Sequence, residues 1–377
     1  MSNTQTKNVP ELRFPGFEGE YSLDIFGNLA TNKSEKFNPQ NENASIDIEL
    51  DCIEQNTGRL IKIYNSKEFS SQKNKFNPQN VLYGKLRPYL NKYYFTKKSG
   101  VCSSEIWVLK STKEDKLLNL FLYYFIQTKR YSDVASKSAG SKMPRADWGL
   151  IENIRVYFPE LCEQQKIGQF FSKLDRQIEL EEQKLELLQQ QKKGYMQKIF
   201  SQELRFKDEN GNDYPDWEEK QLGELSQIVR GASPRPIKDP KWFNKESDIG
   251  WLRISDVTNQ NGKIYHLEQK LSIEGQEKTR VLVTTHLLLS IAASIGKPVM
   301  NFVKTGVHDG FLIFLNPKFN LFFMYYWLEY FKDKWSKYGQ PGSQVNLNTE
   351  IVKSQTLNMP SNHEQEKVGQ FFNRNEK

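Results

Sequence analysis

The chain has 377 residues, with 53 Lys and Arg against 46 Asp and Glu and a formal net charge of +7. That length suits two domains of about 150 residues plus connecting helices, and no apolar run approaches the roughly 20 residues of a membrane span. Cys52, Cys102 and Cys162 form no Cys-x-x-Cys pair, and His266, His286, His308 and His363 are scattered, so reduced, mostly buried thiols and no metal site are expected.

The first ten residues are polar, without an apolar signal core, which points to a cytoplasmic protein. A Pro/Gly turn cluster, Phe14-Pro-Gly-Phe-Glu-Gly19, opens the first domain. Strand-like runs follow at residues 46–53, 59–64, 81–83 and 101–109, with Thr57-Gly58 as a hairpin turn. Residues 117–132 read as one helix whose aromatics crowd a single stripe, the pattern of a core and not of a base-stacking platform. Later in the chain, residues 249–254 and 263–266 flank an Asn261-Gly262 turn. Residues 281–291 and 307–315 are further strands, and 319–338 a second aromatic helix. Short strands followed by a helix predict an α+β domain.

The landmarks occur twice, about 190–200 residues apart and in the same order. Leu12-Arg13-Phe14 returns as Leu204-Arg205-Phe206, and Phe121-Leu-Tyr-Tyr-Phe-Ile126 as Phe323-Met-Tyr-Tyr-Trp-Leu328. Gly140-Ser141 returns as Gly342-Ser343, and Glu163-Gln-Gln-Lys-Ile-Gly-Gln-Phe-Phe171 as Glu364-Gln-Glu-Lys-Val-Gly-Gln-Phe-Phe372. The period is far too long for a solenoid, so a whole domain is duplicated. Between the copies, residues 163–201 contain no proline. Ile167, Phe171, Leu174, Ile178, Leu185, Leu188, Tyr195 and Ile199 recur at steps of three, four or seven, an a/d seam that calls for another helix against it. The expected layout is a first domain at 1–159, a linker helix at 160–201, a second domain at 202–360 and the start of a second helix at 361–377.

Between residues 61 and 145 there are 17 Lys and Arg against 5 Asp and Glu, a local excess that favours a polyanion partner, DNA or RNA. Catalytic signatures are missing. No phosphate-cradling Gly-x-x-x-x-Gly-Lys loop occurs, and no Asn/Asp-Pro-Pro-aromatic tetrapeptide. Asp216, Glu218 and Lys220 superficially match a nuclease set. They align with the opening turn of the first copy, however, and are too close in sequence to come from two strands. The chain reads as non-catalytic.

These features together resemble the specificity subunit of type I restriction–modification systems. The likeness is carried by Leu12-Arg-Phe-Pro-Gly-Phe-Glu-Gly-Glu-Tyr21, Tyr214-Pro-Asp-Trp-Glu-Glu-Lys-Gln-Leu-Gly223, Leu82-Tyr-Gly-Lys-Leu-Arg-Pro-Tyr89 and Ser290-Ile-Ala-Ala-Ser-Ile-Gly-Lys297. Pro159-Glu-Leu-Cys-Glu-Gln-Gln-Lys-Ile-Gly168 and the run 174–188 add to it. The resemblance implies two tandem target recognition domains, each reading half of a split site in double-stranded DNA. It implies a coiled coil that fixes the gap, and docking of modification subunits, two in number, and of restriction subunits. No cofactor is then expected in this chain. S-adenosylmethionine, ATP and Mg would sit on the partners.

Major-groove reading favours Arg or Lys on guanine and Asn or Gln on adenine, and phosphates favour basic and small hydroxyl side chains. The candidates are Lys85, Arg87, Tyr89, Lys137, Ser141, Lys142 and Arg145 in the first copy. In the second they are Ser294, Lys297, Gln340, Ser343, Gln344, Asn346 and Asn348. Against the family pattern the second helix looks truncated: Val368 and Phe372 begin a seam, Asn375 is polar, and the chain stops at residue 377. The unpaired seam is then expected to meet a modification subunit or a second copy. A stand-alone DNA-binding regulator, an antirestriction factor or a structural rod are the competing readings.

Overall fold

The computed structural model describes residues 10–43, 45–137, 143–292, 294–338 and 347–374. They fall into two compact units, Met1–Glu182 and Gln183–Lys377.

In the first unit the strands are β1 (Ser22–Ile25), β2 (Ala30–Thr31), β3 (Lys36–Phe37), β4 (Ile46–Ile48), β5 (Tyr64–Asn65), β6 (Lys73–Phe76), β7 (Val81–Gly84), β8 (Tyr93–Phe95), β9 (Gly100–Cys102), β10 (Ile106–Ser111) and β11 (Arg155–Phe158). Helices α1 (Phe26–Leu29), α2 (Asn119–Phe125), α3 (Lys129–Ala135) and α4 (Trp148–Ile151) accompany them. The sheets run β2-β10-β7-β8 and β3-β6-β9-β4-β5, with β1 paired to β11. Strand alternation sends side chains to opposite faces. Val81 and Tyr83 of β7 therefore join the core with α2 and α3, while Leu82 joins the core shared with the second sheet. Both faces of the main sheet are covered, which is why its strands read as near-continuous apolar runs.

The 40-residue α5 (Leu161–Phe200) contributes to both units. It extends about 60 Å at 1.5 Å per residue. The second unit continues with β12 (Glu218–Gln221), α6 (Leu222–Leu225), β13 (Gln227–Arg230), β14 (Gly250–Trp251), α7 (Ile254–Asn259), β15 (Lys263–Ile264), α8 (Ile273–Glu277), β16 (Arg280–Leu282), β17 (Leu287–Ser290), β18 (Pro298–Asn301), β19 (Thr305–Val307), β20 (Phe311–Leu315), α9 (Leu321–Phe331), α10 (Thr349–Lys353), β21 (Thr356–Met359) and α11 (Asn362–Arg374). Its sheets are β13-β20-β17-β18-β15, β14-β19-β16 and β12-β21. Leu287 and Leu289 face the helical core and Leu288 the other. The parallel pair β4–β9 matches β14–β19, and the antiparallel β6–β9 matches β16–β19. The duplication therefore holds at the level of strand pairing.

The repeated phrases are clamps. Arg13 Nε donates to Glu163 at 2.8 Å, and Arg205 Nη2 to Glu364 at 2.9 Å. Both carboxylates are buried. Beside them Gln164 accepts from the Leu118 amide and Gln365 from the Asn320 amide, each at 2.9 Å. Gly168 and Gly369 let each helix approach closely: a Cβ would stand 2.8 Å from Leu120 and 3.0 Å from Phe322. Each clamp fixes a domain opening to the first turns of the helix that follows that domain. Lys220 lies on β12, paired to β21, so the nuclease-like triplet is part of the domain opening.

Several elements are shorter than periodicity suggests. The helix expected at 117–132 breaks into α2 and α3 because Thr128 turns extended and its hydroxyl donates to the Phe125 carbonyl at 2.7 Å. The run 46–53 leaves strand after Ile48 for a 3-10 turn, Leu50–Cys52. Of 59–64, only Tyr64 is in a strand, although the tight turn at Thr57-Gly58 is present with Gly58 at φ +69°. The Asn261-Gly262 turn is present and closes α7, the Gly262 amide donating to the Val257 carbonyl at 2.9 Å. The runs 101–109, 281–291 and 307–315 each split into two strands that lie in different sheets.

Candidate nucleic-acid interface

Two loops occupy the same topological place. Residues 85–92 join β7 to β8, and residues 291–297 join β17 to β18. Their ends are pinned alike. The Gly84 amide donates to the Lys92 carbonyl at 2.8 Å, and Ser290 to Lys297 at 2.9 Å. The Lys85 amide donates to Glu105 O at 3.0 Å, and Ile291 to Gly310 O at 2.9 Å. In each loop the residue before the last is left-handed: Asn91 at φ +45° and Gly296 at φ +77°.

In this register Lys297 corresponds to Lys92, which the sequence candidates did not include. Both ammonium groups turn inward. Lys92 Nζ donates to Leu50 O at 2.6 Å and Lys297 Nζ to Val257 O at 3.4 Å. Burial and the neighbouring Lys332 push the Lys297 ammonium below its ordinary pKa. These lysines hold their loops down.

In the first loop, Arg87 and Tyr89 are exposed. Arg87 stands at φ +51° directly before Pro88 and donates its amide to Pro144 O at 2.7 Å. Left-handed backbone before proline is disfavoured, so this presentation is imposed by the surroundings. Lys85 is half-buried and accepts the Ala146 amide at 2.8 Å. Residues 144–146 thus lie against the loop and bring Arg145 beside Lys85 and Arg87. Arg145 grips Glu105 with Nε and Nη2 at 2.9 and 3.1 Å. That contact holds the Glu105 carboxyl below the usual range. Lys137 is exposed after α3.

In the second unit Ser294 is half-buried and accepts the Lys297 amide. Asn348 is the N-cap of α10, its Oδ1 accepting from the Ile351 amide at 2.9 Å. This DNA-contact candidate therefore also has a structural task in the free chain. Ser141, Lys142, Gln340, Ser343, Gln344 and Asn346 lie outside the described residues.

Sequence reasoning also missed a pair of acids on the sheet-switching turns. Ser103–Glu105 joins β9 to β10, and His308–Gly310 joins β19 to β20. In the second unit Ser233 Oγ and Arg235 Nη2 each donate to Asp309 at 2.7 Å. Burial raises the Asp309 carboxyl, but Ser233, Arg235, a backbone amide and His308 together outweigh it, and the net shift is downward. One signal was available, since Glu105 is the sole acid between Glu68 and Glu114.

Along α5, Phe171, Leu174, Ile178, Leu185, Leu188 and Tyr195 are exposed, and Ile167 is half-buried. Ile199 is the correction: it is fully buried in the second unit's core and takes no part in the open stripe. Among the described residues no group of His, Cys, Asp and Glu side chains could hold a metal ion, and no helix is long and apolar enough to cross a membrane.

Residues 21–190 and 214–377 each match the family model of the type I restriction modification DNA specificity domain. The chain is 26% identical over 304 residues to the type I restriction enzyme MjaVIII specificity subunit of Methanocaldococcus jannaschii, covering 73% of this chain and 67% of that relative. It is 26% identical over 164 residues to the EcoDI specificity subunit of Escherichia coli, covering 43% and 36%. The crystal structure of a type I restriction–modification S subunit from M. genitalium shares the fold, with a TM-score of 0.60 at 14% identity over 98% of this chain and 92% of that one.

Proposed function

This chain belongs to the type I restriction–modification DNA specificity family, and on that premise we propose that its two units read the two halves of one split, asymmetric DNA site. The observation that carries the reading is a frame whose central strand pairings recur in both units, with unlike loops at equivalent positions. The first loop offers Arg87 and Tyr89 where the second offers Ser294. Two different half-sites would be read by one architecture, with Lys85, Arg87, Tyr89, Lys137 and Arg145 serving the first. Binding both halves through one chain raises affinity by effective concentration.

α5 would set the gap between half-sites. Its exposed apolar stripe would take a helix of a modification subunit, since an a/d seam left in water favours association. Adenine methylation and ATP-driven restriction would be carried by partner subunits, which would supply S-adenosylmethionine, ATP and Mg. The test is modified-base sequencing of DNA from cells expressing this chain with a modification subunit. N6-methyladenine in a two-part motif with a fixed gap is expected. Deleting four residues of α5, about one turn, should change the gap and leave the bases alone. A contiguous motif, or altered bases at an unchanged gap, would refute the reading.

A further inference from the structure

The turn that carries the chain from one sheet to the other presents a carboxylate in both units, and in both that carboxylate holds an arginine. In the first unit Glu105 is the last residue of the turn and grips Arg145 from the segment 144–146. In the second, Asp309 is one position earlier and grips Arg235 from the loop after β13. The turn is the same and the arginine's origin differs.

We propose that Arg145 and Arg235 are matched base readers, each recognising a guanine in its own half of the DNA site, with Glu105 and Asp309 as their positioning residues. This rests on the DNA-reading function proposed above.

Stability does not explain the pairs. The Arg145 and Arg235 side chains are 50% and 71% exposed, and exposed ion pairs contribute little. Both pairs stand beside the loops at the candidate interface. Lys85 hands its amide to Glu105, and Ile291 hands its own to Gly310, next to Asp309. The Asp309 turn is fixed from several sides. Its carbonyl accepts from Arg230 Nε at 2.6 Å, and Gly310 N donates to His308 Nδ1 at 2.9 Å.

The carboxylate also decides what the arginine can recognise. A phosphate is drawn by net positive charge, and an acid on the guanidinium cancels most of that attraction. Guanine offers two neutral acceptors, O6 and N7, to a planar fork. For these the carboxylate is a benefit, because it fixes the plane without using all the donors. Arg145 spends Nε and one Nη2 hydrogen, which leaves its Nη1/Nη2 end free. Arg235 spends only Nη2. Arg87, without a carboxylate partner among the described residues, is the better phosphate contact of the first unit.

The experiment uses the full chain assembled with a modification subunit, and maps the methylated motif for Arg235→Ala, Arg235→Lys, Asp309→Asn, Arg145→Ala and Glu105→Gln. Arg235→Ala should lower discrimination at one G·C pair of one half-site by roughly ten- to hundredfold. Arg235→Lys keeps the charge but not the fork, and should relax the same position. Asp309→Asn should relax it more weakly, which a merely structural role would not do. The Arg145 and Glu105 variants should act on one position of the other half-site. A motif unchanged in Arg235→Ala and Arg235→Lys overturns the proposal. So does methylation that falls evenly over all sequences, the mark of a phosphate contact, or relaxation of the same half-site by both arginines. If the unaltered complex itself shows no split motif, the DNA-reading function fails first, and that result is distinct from a split motif the variants leave intact.

Discussion

The two units carry the same aromatic pair after the same glutamate clamp, and they cover it differently. In the second unit Phe372 is 2% exposed and stacks on Phe200, whose ring lies 6.2 Å away at 17°, while Phe371 meets Tyr195 edge-on at 5.5 Å. In the first unit Phe170 and Phe171 are 48% and 41% exposed. They line a cavity of about 470 Å³ with Leu12, Phe14 and Ile167. The covering residues of the second unit come from the C-terminal end of α5, which arrives just before Leu204-Arg205-Phe206. The copied motif therefore fixes the clamp in both units, while the aromatic pair beside it is covered in the second unit by Tyr195 and Phe200 of α5. Phe372→Ala should remove about 3–5 kcal/mol from the second unit, whereas Phe171→Ala should cost under about 1 kcal/mol in the isolated chain. Denaturant titration followed by hydrogen exchange assigns each loss to its unit. Equal losses would show that the first pair is covered as well as the second.

A second contrast lies in the smaller sheets. Asp47 on β4 faces Val101 across the ladder, and Trp251 on β14 occupies the matching register opposite Gly306. Asp47 is fully buried and Lys73, 1% exposed, places Nζ 3.0 Å from it while also pairing with the more exposed Glu49. The second unit fills the position with an indole. Removing one member of a buried ion pair strands the other. Lys73→Met should therefore cost the first unit about 3 kcal/mol and leave the second untouched. Burial already pushes the Asp47 carboxyl up, and without the ammonium it should rise further. A folded-state pKa above the unfolded one means the native state binds the extra proton, so the deficit should shrink as pH falls. Adding Asp47→Asn should recover much of the loss. A deficit that stays constant with pH would mean that lost packing, not stranded charge, is responsible.

Both contrasts bear on what one sequence can reveal. The duplication, the α+β layering and the long helix were legible because they rest on periodicity and repeated phrases. Even so, the helix at 117–132 was overextended, since Thr128 competes through its own hydroxyl. The sheet switches at Ser103–Glu105 and His308–Gly310 were hidden for a related reason. A strand that changes sheets stays apolar throughout, so hydropathy sees one run. The inward turn of the Lys297 ammonium toward Val257 O was hidden, because a lysine's spacing says nothing about where its ammonium points. That Asn348 caps α10 shows only in its contact with the Ile351 amide, since asparagine suits a cap and a base contact equally well. The Arg235–Asp309 pair is separated by 74 residues, beyond any local pattern.

The loops offer a smaller contrast. Gly296 and Asn91 share the left-handed position before the anchoring lysine. Asparagine tolerates that region, and other side chains do so poorly. A Cβ at Gly296 would also fall 2.4 Å from Trp335 Cδ1. Gly296→Ala should cost about 2 kcal/mol, and Asn91→Gly a few tenths of that order. Chemical denaturation of each single variant measures both, and a larger loss for Asn91→Gly would invert the account.

The smallest expected effect separates anchoring from reading. A lysine that neutralises a phosphate contributes a slope of about 0.9 to the fall of log K with log salt. Lys297 is half-buried and spends its ammonium on Val257 O, so it has no counterion to release. Lys297→Met should leave the salt slope of DNA binding unchanged while loosening the loop, visible as faster amide exchange at Lys297 and Ser290. Arg87→Met should lower the slope by about 0.9 with no change in loop exchange. The comparison is internal to one assay and does not depend on the absolute affinity. If both variants flatten the slope equally, the ammonium of Lys297 leaves Val257 when DNA arrives, and the second loop would be a phosphate contact after all.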